Sequence, residues 1–398
     1  MKSTTPAGLS RRIAVWFGAF GVFSLSFEPV RILLPVYVVS EVGGDAQMVA
    51  ALFGISVFWT AIGSVLGGVV ADALGHRRSY LIGLSARTFL AAAFLTTSVP
   101  ALFVIMSIFG IGWGWSDSGF QSYVIQSFPR ERTATIMGFW FSAMGVAAII
   151  GSAIATALVE GPGYVPLGIL GLATALAGYA LVGITVPRLP ERTAGNGSGK
   201  NPLRLELRRL ARERGVLAFL ELTGLPTILH GAASVAIPLL LFAISDSEAL
   251  VAVYALVNAI ILLFALPLLG RLADTRGPWV PITVGAILVV IAAVAIALTP
   301  GVLAIVFIAG VAGRLGVGIK DLLTPTIARQ VIAPAIHGRV IGLGSMTWSI
   351  GFMVGSLAAG PLIDEHPGML FWLVAIAAAA ALPVIGRLRT GARSAANL

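Results

Sequence analysis

Residues 68–78 read Gly68-Val-Val-Ala-Asp72-Ala-Leu-Gly75-His-Arg77-Arg78, and residues 270–277 read Gly270-Arg-Leu-Ala-Asp274-Thr-Arg276-Gly277. Each copy lies where a long apolar run ends, and Gly, Asp and Gly keep the same spacing in both. The offset between the copies is 202 residues. Ile150-Gly151-Ser152 and Val354-Gly355-Ser356 match at an offset of 204, and at that offset Asp117 falls on Asp321. A drift of two residues over such a stretch indicates an internal duplication.

Composition sets the solvent. The chain has 398 residues, 58% of them hydrophobic and 11% charged, with a mean hydropathy of +0.97. A soluble protein of this size could not hide so much apolar surface. The apolar runs are about 20 residues long, enough to cross a hydrocarbon core of roughly 30 Å as a helix. They lack the alternation that a membrane strand shows. The predicted architecture is all-α and integral to the membrane, with twelve spans near 13–38, 46–71, 79–97, 101–125, 134–158, 164–186, 215–243, 249–271, 279–298, 302–326, 339–361 and 367–386.

The net charge of +9 is an orientation signal. Of the 26 Lys and Arg, four lie inside spans: Arg31, Arg87, Arg314 and Lys320. The other 22 (26 − 4) lie at the termini, in the even-to-odd loops or at the span ends bordering those loops. The opposite loops carry acids instead, namely Glu41, Asp45, Glu160, Asp246, Glu248, Asp364 and Glu365. This asymmetry predicts cytoplasmic N- and C-termini in a cell (inner or plasma) membrane. It also assigns the basic balance to lipid-facing charge, so no nucleic-acid partner is expected. The chain contains no Cys, which excludes disulfides and thiolate chemistry.

Residues 187–214 interrupt the hydropathy with eight basic and three acidic residues and Gly195-Asn-Gly-Ser-Gly199. They read as a cytoplasmic linker between six-helix bundles at 1–186 and 215–398. Pseudo-symmetric halves of this kind are the architecture of secondary transporters, with the substrate between them near the midplane.

With these motifs in place, the chain resembles the major facilitator superfamily, in particular its drug and metabolite exporter branch. The resemblance implies that the motif Asp latches span two to the N-terminal end of span eleven. Gly68, Asp72, Gly75, Arg77 and Arg78, with Gly270, Asp274 and Gly277, are thus the candidate gate. The first copy departs from the family pattern at Ala73, and the second has Pro278-Trp279 in place of the double Arg. The antiporter Gly-Pro of span five is replaced by Ala147-Ala148, and Met106 stands where those antiporters carry an Arg.

Ionisable residues within spans are costly, and they mark candidate sites. Glu28 and Arg31 lie i,i+3 on span one and read either as a proton site or as a neutral structural pair; Pro29 between them and Pro35 beyond are expected to kink or loosen the helix there. Trp113, Asp117 and Gln121 share one face of span four, as an aromatic and acidic platform or as packing. Span ten carries Arg314, Lys320 and Asp321, with Asp321 paired either to Lys320 or to another helix, and span seven carries Glu221 and His230 on different faces. Arg87 reads as shallow, either snorkelling or bound to a cytoplasmic partner. The expected ligands are a small molecule, coupling protons and membrane lipids; no cofactor, metal or catalytic residue is expected, and the unit is a monomer. The leading reading is proton-coupled efflux of a small amphiphilic drug or metabolite. The alternatives are an importer or facilitator of an organic anion or zwitterion using Arg31 and Arg314, and a lipid-transporting or non-transporting relative.

Overall fold

The computed structural model describes residues 6–128, 133–159, 163–187, 215–332, 337–363 and 365–396, and among them every regular element is helical. The helices are α1, in two segments (Pro6–Ser24 and Phe27–Ser40), α2 (Ala46–Leu74), α3 (His76–Arg87, continued as a 3-10 helix over Thr88–Leu95), α4 (Val99–Ser127), α5 (Thr133–Val159) and α6 (Tyr164–Thr185). After the linker come α7 (Val216–Ser245), α8 (Glu248–Arg276), α9 (Trp279–Leu298), α10 (Leu303–Val331), α11 (His337–Ile363) and α12 (Pro367–Ala396). Residues 188–214 of the linker lie outside the described residues.

Among the described residues, eleven helical segments are long and apolar enough to cross a bilayer. The twelfth, α3, combines 12 α-helical residues with 8 in 3-10 conformation. At 1.5 and 2.0 Å per residue these span about 34 Å, so the tighter winding lets a short segment cross.

Two local features depart from uniform helix. α1 opens at Leu25 and Ser26, just before Pro29. Pro29 has no N–H for the Leu25 carbonyl, and its ring crowds that oxygen. The Ser26 hydroxyl instead donates to the Phe23 carbonyl at 3.0 Å. Pro35, six residues on, lies within an unbroken helix. The duplicated loops turn alike: Gly75 has φ 91° and ψ 147°, and Gly277 has φ 87° and ψ 160°. This region of the map is open essentially to glycine alone.

Packing forms two layers along the helix axes, each drawing on helices from before and after the linker. One layer, on the linker side, includes Trp16, Phe20, Phe120, Trp140, Phe219 and Leu322. The other includes Phe27, Phe53, Phe109, Leu229, Val289 and Phe352. Across the seam, α2 packs on α11 and α5 on α8. The α2–α11 contact is tight at the end away from the linker, where a Cβ on Gly360 would lie 2.8 Å from the Ala50 Cβ and one on Gly54 2.7 Å from Leu357. Gly63 and Gly67 of α2 face the α4 backbone, and Gly351 and Gly355 of α11 face α7, so both GxxxG pairs are packing devices.

Candidate functional site

A central space lies between the helices, in two lobes with volumes of about 120 and 150 Å³. The larger reaches toward the linker side, past Met137, Thr223, Thr324, Pro325 and Ser345. The smaller runs among α7, α8, α9 and α10. Six residues line both lobes and so mark their junction: Arg31, Phe141, Met144, His230, Arg314 and Asp321.

The break in α1 starts the second segment at Phe27 and sets Arg31 one turn into it, at that junction. From α10, the Arg314 Nη1 donates to His230 Nε2 of α7. The side chain of His230 is buried, and its Nδ1 has no hydrogen-bond partner among the described residues. Two arginines from opposite halves and an imidazole thus converge on one place. Asp117 of α4 accepts from Gln121 Nε2 at 2.8 Å, and both line the larger lobe. Arg87 and Asp321 are among its charged neighbours.

Aromatic rings cross the seam at this depth. Trp113 meets Trp348 edge-on at 5.3 Å, and Trp348 stacks on Phe352 at 5.4 Å. The His230 ring stands edge-on to both, at 5.7 and 5.1 Å. Trp115, adjacent to this platform in sequence, turns away and donates to Ser79 Oγ on α3 at 2.9 Å. The cavity platform is therefore one indole from α4 and one from α11. Trp348 was not singled out in the sequence.

Arg87 corrects the sequence expectation. It is only 6% exposed, its guanidinium lies over the Phe27 and Phe23 rings at 5.0 and 5.8 Å, and Nη1 reaches Ser116 Oγ. It lines the cavity and does not snorkel. The signal was present in helical register: Arg87 continues the buried stripe of Ser79, Tyr80, Gly83 and Leu84.

Lys320, 3% exposed, pairs with Asp321 at 2.7 Å and donates to Thr227 Oγ1 at 2.9 Å and to the Thr223 carbonyl. The open question of Asp321's partner is thus answered by its sequence neighbour. Thr223 also bonds Thr347 Oγ1 at 2.8 Å, joining α7 to α11. Glu221 pairs with Arg387 of α12, apart from the cavity, consistent with its register relative to His230. In the first loop motif, Arg77 donates to the Gly183 carbonyl at 2.8 Å and to Val186, at the end of α6. The side chains of Glu28 and Asp72, and position Gly68, lie outside the described ones. Arg78 and Asp274 are exposed at loop ends, Gly277 is half-buried, and Gly270 is buried.

A polytopic helical bundle with a charged, aromatic-lined space between two sets of six helices is the form of a membrane transporter. The chain belongs to the Major Facilitator Superfamily, whose sequence profile matches residues 15–319. Proteins of this superfamily bind small-molecule substrates within the membrane. Similar curated proteins include the cis,cis-muconate transport protein of Acinetobacter baylyi, 26% identical over 176 residues (44% of this chain, 41% of that protein). Another, of Arabidopsis thaliana, is named "Probable anion transporter 6, chloroplastic", 26% identical over 148 residues (35% and 29%). An uncharacterised MFS-type transporter of Mycobacterium tuberculosis is 28% identical over 147 residues (35% and 25%). The chain thus matches well under half the length of these relatives. Among solved structures, the human organic anion transporter MFSD10 (TETRAN) superposes with a TM-score of 0.72 at 16% identity, covering 94% of this chain and 99% of that one. At that identity the likeness is one of fold.

Proposed function

We propose that this protein is a secondary transporter of organic anions that works by alternating access and couples to protons. The observation that carries the reading is the convergence of Arg31 and Arg314, from opposite halves, with His230 where the two lobes join. Guanidinium groups bind carboxylates through paired, charge-assisted hydrogen bonds. Ligands drawn from both halves allow a bound anion to pull the halves together. The names of the Acinetobacter and Arabidopsis relatives and of the human structure support this class of substrate. Asp117 and Asp321, at matching positions of the repeat, are the proton-carrying candidates, as is Glu28.

The positive-inside asymmetry puts the linker side in the cytoplasm of a cell membrane. The larger lobe then faces the cytoplasm, while the α2–α11 contact closes the far side. This arrangement loads substrate from inside and suits export. The two six-helix halves move as the rocking bodies, joined by residues 187–214, and the chain acts as a monomer.

The test is counterflow of labelled benzoate and cis,cis-muconate in proteoliposomes with and without a pH gradient. Arg314→Gln should lose uptake of both at least tenfold. Uptake indifferent to Arg314→Gln and Arg31→Gln together would sink the anion reading. Transport unaffected by the gradient would sink the coupling. Because the chain has no native Cys, a single Ser345→Cys reports the side: labelling from the cytoplasmic face supports the topology, and labelling only from outside overturns it.

A further inference from the structure

The smaller lobe contains space that a carboxylate at the arginines would not fill. It is hollow because small residues face one another on four helices: Ala233 of α7, Ala255 and Ala259 of α8, Ala292 of α9, and Ala309 and Gly313 of α10. The far end is walled by Tyr254 and Ile237, since a Cβ on Gly310 would lie 2.9 Å from the Tyr254 hydroxyl and 3.1 Å from Ile237 Cδ1. Toward the α5–α8 seam, a Cβ on Gly145 would lie 3.2 Å from Leu263 Cβ. The backbones there are close, which leaves little room for entry of a lipid chain.

The charges of this lobe are confined to its mouth. Arg31, Arg314 and Asp321 all belong to the junction with the larger lobe. Beyond His230, the polar lining is Ser234, Tyr254 and Asn258. The Ser234 hydroxyl donates to the His230 carbonyl at 2.7 Å, and the Asn258 amide donates to the Tyr254 carbonyl at 2.8 Å. These donors are already engaged with the backbone of their own helices. Among the described residues, no cation beyond that mouth could receive a second anionic group, and burying one there unpaired is costly.

We propose that this lobe is the binding site for the apolar body of the transported anion, so the substrate class is an amphiphilic monoanion. Its head lies between Arg31 and Arg314, and its uncharged body extends between α8 and α10. This rests on the anion reading above and narrows it: a short dicarboxylate has no use for the lobe.

The test is binding to the full chain in nanodiscs of straight-chain monocarboxylates from butyrate to decanoate, and of dicarboxylates of equal length. Monocarboxylate affinity should rise about fourfold per added methylene until the lobe is full, and dicarboxylates should not share the gain. Ala309→Phe should cut the ratio of decanoate to butyrate affinity at least tenfold. Ala292→Leu, a milder filling on a different helix, should cut it severalfold if the first variant does not fold. An unchanged ratio in folded variants, or equal gains for dicarboxylates, overturns the proposal. So does phospholipid that co-purifies with the native chain, is lost in Ala309→Phe and is displaced by no monocarboxylate, since the lobe would then be a lipid site. Arg314→Gln separates the two readings. If it leaves every affinity unchanged while Ala309→Phe still removes the chain-length gain, the anion reading fails and the apolar site stands.

Discussion

Arg314 and His230 are joined by a hydrogen bond from guanidinium to imidazole Nε2, linking α10 to α7 at the junction of the two lobes. A guanidinium only donates, so Nε2 must accept, and the ring proton belongs on Nδ1. A positive charge on the imidazole would oppose this contact, so a neutral ring is what this bond to Arg314 requires.

This dictates the behaviour of His230 variants. His230→Gln keeps an acceptor and should retain transport within severalfold. His230→Lys puts a cation against the guanidinium and should cost roughly ten- to a hundredfold, the range of a buried charged hydrogen bond of about 1.5–3 kcal/mol. Counterflow rates of the two variants in proteoliposomes decide it; equal losses would show that the imidazole acts only as filler.

Arg87 should tolerate little change. Its guanidinium covers the Phe27 ring, and Phe27 in turn meets Trp113 at 5.8 Å, so one cation supports the break in α1 and the aromatic platform together. Arg87→Leu should lower the melting temperature by several degrees, corresponding to about 1–2 kcal/mol for a desolvated cation–π contact. Arg87→Lys should recover part of that, lacking the planar stacking face. A melting temperature unchanged in Arg87→Leu would return the residue to the snorkelling role expected from sequence.

Much of this architecture could be read in the sequence, because a bilayer accepts few solutions. Apolar run length marked the spans, and charge asymmetry supplied an expected topology. The offset of 202 between Gly75 and Gly277 anticipated two turns with nearly equal φ. Helical period put Asp117 and Gln121 on one face, where they bond. What escaped needed tertiary information. Run length gives depth along a helix but not which neighbour a side chain meets. Arg87 therefore read as shallow, and Trp348 passed unnoticed in α11. The break in α1 was signalled by Pro29, although Pro35 leaves its helix unbroken; the 3-10 end of α3 escaped, since local winding answers to the helices packed against it.

Gly75 and Gly277 should each resist substitution for the same reason. With φ near +90° at both, a Cβ strains the backbone even though no atom lies within 4 Å of the one it would add at Gly277. Gly277→Ala should cost about 1–3 kcal/mol, read as a lower melting temperature. Gly301→Ala is the control: it too has open space, and its φ is outside the positive range. Equal effects at the two sites would mean that backbone strain is not the cause.

The two loop motifs should not be equivalent in function. In the first copy Arg77 grips the carbonyl end of α6 through Gly183 and Val186, where a cation also complements the helix dipole. The second copy has Trp279 where the first has Arg77, so no guanidinium stands there. The first loop is therefore fastened to the body of its own half and can transmit a load placed on Asp72. The second turns at Gly277 without that guanidinium clasp. Asp72→Asn should accordingly reduce transport more than Asp274→Asn, and Arg77→Gln should reproduce part of the Asp72→Asn loss, whereas Arg78→Gln, at an exposed position, should not. Initial rates of the four variants in one proteoliposome assay test the ordering. Equal or reversed losses for the two Asp variants would mean that the latch is shared evenly between the halves.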